Sequence, residues 1–294
     1  MDSTQRLQAA SKFLLQSPPG EINDVLNDVR NIISDDDSLQ AGVLPALREY
    51  NLAQFITADV PGHNHQSIVS DAARVGNLSG RNEIEEDTDR FWDPRSRTSF
   101  RFDHLSLEAS EPEPVEPDAE SEPFRSALEA SSLSYLAAHF HDGVTSVFPA
   151  PGSATRFSIQ IVANKYNPSN FWSGRWRSEY IVDLEARQLK GKILVNVHYY
   201  EAGNVQLSTT HSVDLPLSPS ITSASASKIL ALIEAEEGKY QASLNDAYAE
   251  MGDKTFKGLR RALPMTRSKL DWDKVLGYKL GAELTSGRGG FAAS

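Results

Sequence analysis

Apolar positions along this chain change their period several times, and each change marks a different kind of element. Ile22, Val25, Leu26, Val29, Ile32 and Ile33 recur at intervals of three and four, the spacing of one helix face. Ahead of them, Ser3 opens a helix through Gln16 that the pair Pro18-Pro19 ends. Behind them, the acidic turn Asp35-Asp36-Asp37 leads into a weaker helical pattern from Leu39 to Phe55. That pattern carries Leu44, Leu47 and Tyr50, with Pro45 near its start. Helices joined this closely predict a small antiparallel bundle over residues 1–60.

From Pro61 to about Gly80 the periodicity is lost. Between Phe91 and Leu105, Phe100 and Phe102 alternate with Arg101 and Asp103, as in a strand with one buried face. Glu108 to Glu122 then holds seven acids, no base and Pro112, Pro114 and Pro117. Such a composition builds no core, so a mobile surface loop is expected over 108–123, within an irregular and strand-containing region 61–150. A helix is expected from Pro123 to about Phe140.

Residues 151–217 switch to strict alternation. Phe157, Ile159 and Ile161 form one such series, Trp176, Tyr180 and Val182 share a face, and Ile193, Val195, Val197 and Tyr199 form another. Val205, Leu207, Val213 and Leu215 follow the turn Glu201-Ala202-Gly203-Asn204. The connections are too short for crossover helices, so these strands should pair as an antiparallel meander. One face of such a sheet needs a cover. Ile229, Ile233, Tyr240, Leu244, Tyr248 and Met251 supply it, as a long helix within 220–252. At roughly 28 residues it would run about 42 Å. The resulting class is α+β.

Charge and chemistry refine this picture by exclusion. The formal charge of −11 and a pI near 5.1 argue against a nucleic-acid binder. There is no apolar run long enough for a membrane span, and Met1-Asp2-Ser3-Thr4-Gln5 is not read as a secretory signal. Without cysteine there is no disulfide, thiolate zinc site or thiol nucleophile. Gly238-Lys239 lacks the upstream glycine of a phosphate loop, Gly287-Arg288-Gly289-Gly290 is a short glycine-rich tail, and no serine sits in a nucleophile elbow. His139 and His141, with Asp142, could share a strand face and hold a metal, but that spacing arises often by chance. His198 beside Glu201 is the one remote candidate for a hydrolytic pair; a satisfied hairpin histidine is the simpler expectation. Neither an enzyme, nor a metal site, nor a cofactor is expected.

The charge is unevenly spread. Residues 251–294 carry nine bases against four acids, so this end is at +5 while residues 1–250 carry −16. Phe256-Lys257-Gly258-Leu259-Arg260-Arg261-Ala262-Leu263-Pro264 places three bases within five residues, and Arg267 and Lys269 follow. On a helix over 254–263, Lys257 and Arg261 stand one turn apart with Arg260 beside them, a patch suited to a carboxylate-rich protein surface. Beyond it Trp272, Leu276, Leu280 and Leu284 recur every fourth residue. This basic amphipathic helix either docks in a partner's groove or packs on its own body.

The stretch Phe256–Pro264, continued by Lys269-Leu270 and Trp272, resembles the C-terminal signature of the F-actin capping protein alpha subunit family. Val197-His198-Tyr199-Tyr200-Glu201 with Gly203-Asn204-Val205 is similar to a second signature of that family. Asn170 to Ser178, Asp93-Pro94-Arg95, Phe102-Asp103-His104-Leu105 and Pro18-Pro19-Gly20-Glu21 resemble it in the same order; Ala202 departs, standing where an Asp is usual. The resemblance implies an obligate heterodimer with a related beta subunit, the two completing one antiparallel sheet overlaid by a long helix from each. It implies a cytoplasmic, cytoskeletal protein of actin-rich cortical sites. Such a protein binds filament barbed ends without calcium and stops subunit addition and loss. It points to Lys257, Arg261 and Arg267 as leading actin contacts, to Arg260 and Lys269 as lesser ones, and to Trp272, Leu276 and Leu280 as docking side chains in the extension 253–294. It also implies a possible alternative role on an actin-related filament, and contacts with capping regulators and phosphoinositides.

Overall fold

A computed structural model describes residues 3–33, 36–77, 89–201, 204–218 and 225–251. Met1–Tyr240 form one compact unit and Gln241–Ser294 a second, of which residues 241–251 are described. The N-terminal helices are α1 (Ser3–Leu15), α2 (Ile22–Ile33) and α3 (Asp36–Ala53). α3 starts earlier than its apolar pattern, and Pro45 lies inside it rather than near its start. Leu14, Leu26, Val29, Leu47 and Tyr50 are buried together from the three helices.

A short hairpin of β1 (Ile56–Asp59) and β2 (Gln66–Val69) follows; β1 falls at the end of the region 1–60 expected to be helical, and β2 in the stretch where periodicity fails. β3 (Arg90–Asp93), β4 (Thr98–Asp103) and β5 (Glu108–Pro114) make a three-stranded antiparallel sheet. Phe91, Phe100 and Phe102 are fully buried and join the core of the helices. Each such side chain contributes about 1.5–3 kcal/mol of transfer free energy.

β5 overturns the expectation of a mobile acidic loop at this point. The segment is exposed, as its composition requires, but its first half pairs with β4. Backbone pairing needs no apolar side chains, and Arg90 neutralises the strand locally, 2.6 Å from Glu113 and 3.7 Å from Glu111. Pro112 and Pro114 are tolerated because β5 is an edge strand, where missing N–H groups cost no ladder bond.

α4 (Glu122–His139) leads into the main sheet of β6 (Val144–Pro149), β7 (Arg156–Asn167), β8 (Trp172–Asp183), β9 (Gln188–Tyr199) and β10 (Val205–Pro216). Their order is β10-β9-β8-β7-β6, the predicted meander extended by β6. α5 (Ala226–Glu250) is the expected long helix, burying Ile229, Leu230, Ile233, Glu237 and Tyr240. Alternation gives the sheet two distinct faces. Even-numbered residues of β8 meet α4 and α5; Ser178 and Tyr180 both bond to Glu237 of α5. Odd-numbered residues meet the N-terminal helices, as Arg175 does with Gln54 and Arg177 with Ala53. Gly191 of β9 makes room for this arrangement, since a Cβ there would lie 2.3 Å from the Tyr180 ring.

Candidate functional site

Lys257, Arg260, Arg261, Arg267, Lys269, Trp272, Leu276 and Leu280 lie outside the described residues. The structure does assemble the other motif residues, in two polar networks that fix the N-terminal helices to the sheet. In the first, Glu21 Oε1 lies 2.7 Å from His198 Nδ1 and accepts from Ser173 Oγ at 3.4 Å. The second ring nitrogen, Nε2, lies 3.1 Å from Asn204 Oδ1. The motif Pro18-Pro19-Gly20-Glu21 is thereby tied to the β9–β10 turn. Gly20 has φ +83° and its Cα faces the Tyr166 ring, so a side chain there would be strained and would clash. Tyr50 Oη donates to the carbonyls of Ser17 and Pro18 and completes the clasp.

The second network holds two buried guanidinium groups. Arg175 donates to Asn164 Oδ1 at 2.7 Å, Gln54 Oε1 at 3.2 Å and Tyr166 Oη at 2.6 Å. Arg177 donates to the Ala53 carbonyl at the end of α3 and to Asn196 Oδ1 at 2.6 Å. None of these partners is a carboxylate. Burial, reinforced by Arg175, lowers Arg177 to about 10. The cations face the C-terminus of α3, where the helix dipole and orphan carbonyls favour positive charge.

The motif residues of β3 and β4 support the same core. Burial opposes ionisation of Asp93, but hydrogen bonds from His65 and Ser96 outweigh it and hold its carboxyl below the usual range. His104 is buried beneath Asn51, whose Nδ2 donates to His104 Nδ1 at 3.2 Å and to the His104 carbonyl at 3.0 Å.

The two catalytic or metal-like candidates are not assembled. His198 turns to Glu21 and Asn204, while Glu201 accepts from Tyr199 Oη, so His198 and Glu201 form no pair. His139 ends a helix rather than sharing a strand face with the fully exposed His141, and it lies 3.1 Å from Glu234. No cluster of three or more metal-ligating side chains occurs among the described residues.

The sheet ends in a long edge. β10 pairs with β9 over its whole length, from Val205 opposite Tyr199 to Pro216 opposite Gln188. Among the described strands it has no second neighbour. Val205, at the start of this strand, is 64% exposed. Arg175, Arg177 and Glu237 are further polar residues buried in the fold that composition alone does not single out. For Glu237 a signal exists: it lies four residues after Ile233 and three before Tyr240, on the buried stripe.

The comparisons agree with this geometry. Residues 10–283 match the family model of the F-actin capping protein alpha subunit. The F-actin-capping protein subunit alpha of Chaetomium thermophilum is 38% identical over 278 residues, covering 94% of this chain and 95% of that one. Its counterpart from Caenorhabditis elegans is 36% identical over 292 residues, covering 97% and 99%. The solved structure of a homodimeric actin capping protein alpha subunit from Plasmodium berghei has the same fold. It superposes with a TM-score of 0.71 at 22% identity, over 90% of this chain and 99% of that one. The chain belongs to the F-actin capping protein alpha subunit family.

Proposed function

We propose that this chain forms a heterodimer with a related beta subunit, that the dimer binds filament barbed ends without calcium, and that it blocks subunit addition and loss there. The carrying observation is the family match, which extends through residue 283 and so includes the basic stretch Phe256–Pro264. Lys257, Arg261 and Arg267 are the leading actin contacts, Arg260 and Lys269 add charge, and Trp272, Leu276 and Leu280 settle the segment in an apolar cleft. Capping is then steric: cations steer the encounter with acidic actin, and the bulk of the dimer obstructs the next subunit. The open β10 ladder supports pairing with a beta subunit, because an unshielded edge of that length invites a second strand.

The test is elongation from filament seeds with the copurified heterodimer, in calcium and in chelator. The wild type should stop barbed-end growth in both. Arg261→Glu should keep the dimer and weaken capping by about tenfold or more, one lost charge-assisted contact and one new repulsion. Full inhibition by that variant would remove Arg261 from the contact. An intact dimer without effect on actin would move the reading to an actin-related filament.

A further inference from the structure

Glu237 is 1% exposed in the middle of α5, among apolar neighbours. Its Oε1 accepts from Ser178 Oγ at 3.0 Å and Tyr180 Oη at 2.7 Å, and its Oε2 accepts from Tyr135 Oη at 2.5 Å. One carboxyl therefore joins α5 to α4 and to β8. Gly191 leaves the space in which the Tyr180 ring reaches it. Around it stand Tyr135 and His139 from α4, Ser178 and Tyr180 from β8, and Glu234 and Tyr240 from α5 itself. His139 is held by Glu234 at 3.1 Å, and Tyr240 stacks on His211 of β10. No lysine or arginine bonds to Glu237 among the described residues. All three partners are neutral hydroxyls.

We propose that Glu237 is a positioning residue whose protonation sets how firmly α5 is seated on α4 and β8, and with it the actin contact made by the segment that follows α5 in sequence. The second half of this statement rests on the capping reading; the first does not. Neutral, the carboxyl can donate as well as accept, and the hydroxyl rotors adjust around it. Ionised, it is a charge with no cation bonded to it in a water-poor site, which is costly even with three donors. Burial pushes the Glu237 carboxyl above its ordinary value, and the hydroxyl donors and His139 offset that only in part. Because the seated state holds the proton more tightly, seating is firmest at low pH. It loosens as pH rises from the ordinary value of 4.5 through the raised one.

The experiment compares wild type, Glu237→Gln and Glu237→Leu as intact heterodimers at about pH 5 and about pH 8. The readouts are hydrogen exchange of α5 amides and barbed-end elongation, each taken as a ratio to wild type at the same pH. Gln mimics the neutral carboxyl, so the protection of α5 in Glu237→Gln relative to wild type should rise with pH. The gain can reach about tenfold for each pKa unit involved. Capping should follow the same ratio. Glu237→Leu, which leaves three buried hydroxyls without an acceptor, should expose α5 at both pH values. Identical ratios at the two pH values, or full protection in Glu237→Leu, would overturn the seat. Exchange that shifts while capping does not would overturn its coupling to actin. Wild type that caps at neither pH would remove the capping reading, while the exchange ratios would still decide the role of Glu237.

Discussion

Lowering the pH should destabilise this protein through one histidine, and the geometry around His104 sets both sign and size. The ring is 2% exposed, edge-on to Phe91 and Phe102 at 5.9 and 5.1 Å. Asn51 fixes its tautomer. The amide nitrogen of Asn51 must donate to the His104 carbonyl, so the same nitrogen donates to Nδ1, and the ring proton resides on Nε2, 3.5 Å from Asp89. Protonating Nδ1 would set two donors against each other, and rotating the Asn51 amide would break its bond to the carbonyl. Burial, partly opposed by Asp89 and reinforced by Arg48 and Arg74, lowers His104 from 6.5 to about 4. The unfolded chain therefore takes up a proton that the folded one refuses. This contribution is complete above 6.5 and is lost as pH falls toward 4. At 1.36 kcal/mol per unit, about 2.5 kcal/mol is gone by about pH 4.5. Urea unfolding at fixed protein concentration should show that loss in wild type and not in His104→Phe, whose ring fits among the phenylalanines. The His104 ring proton shift should stay flat between about pH 7.5 and 5. A native imidazole that titrates near its ordinary value, or parallel pH profiles for the two proteins, would refute the reasoning.

Arg177→Met should cost about 1–3 kcal/mol, by stranding the Ala53 carbonyl and Asn196, and lower the melting temperature by several degrees. That is less than breaking a buried ion pair, since no carboxylate is left behind; a loss of 5 kcal/mol or more, well above ~3, would contradict it. Gly191→Ala should cost about 1–3 kcal/mol through overpacking, because its Cβ meets Tyr180 at 2.3 Å and Val213 at 3.3 Å. Thermal unfolding indistinguishable from wild type would show that Tyr180 moves aside freely.

The second helix and the meander were legible because single periods run through them. Ile22 to Ile33 repeats every three or four residues, and Phe157 to Leu215 alternates almost without interruption. The failures have local causes. β2 and β6 are buried along most of their length, so no alternation survives, while β1 alternates from Ile56 to Asp59 but is only four residues long, too short for a period to stand out. β5 fails oppositely: nothing in Glu108–Pro114 wants burial, and it is a strand because β4 offers it a ladder. The basic extension was legible as charge, since a run of arginines needs no fold to be seen. Glu237 was hidden inside Glu236-Glu237-Gly238-Lys239, which reads as a solvated surface until its place on the apolar stripe is counted.

Polar contacts from both helical layers converge on one strand. Along β8, Ser173 meets Glu21, Arg175 meets Gln54 and Arg177 meets Ala53 on one face, while Ser178 and Tyr180 meet Glu237 on the other. Apolar contacts alone would let a helix slide on a flat sheet at little cost, because dispersion and burial are non-directional. A hydrogen bond to a buried partner is directional, and leaving it unmade costs about 1–3 kcal/mol. The alternation of a strand sends successive residues to opposite faces, so β8 fixes the register of the N-terminal helices and of α5 at once. A one-residue slip would turn Arg175 and Arg177 toward α5 and Tyr180 toward α3, breaking every one of these bonds together. Within the run Asn170 to Ser178, one of those that resemble the family, Ser173, Arg175, Arg177 and Ser178 therefore serve the fold: they align the two helical layers on a single strand.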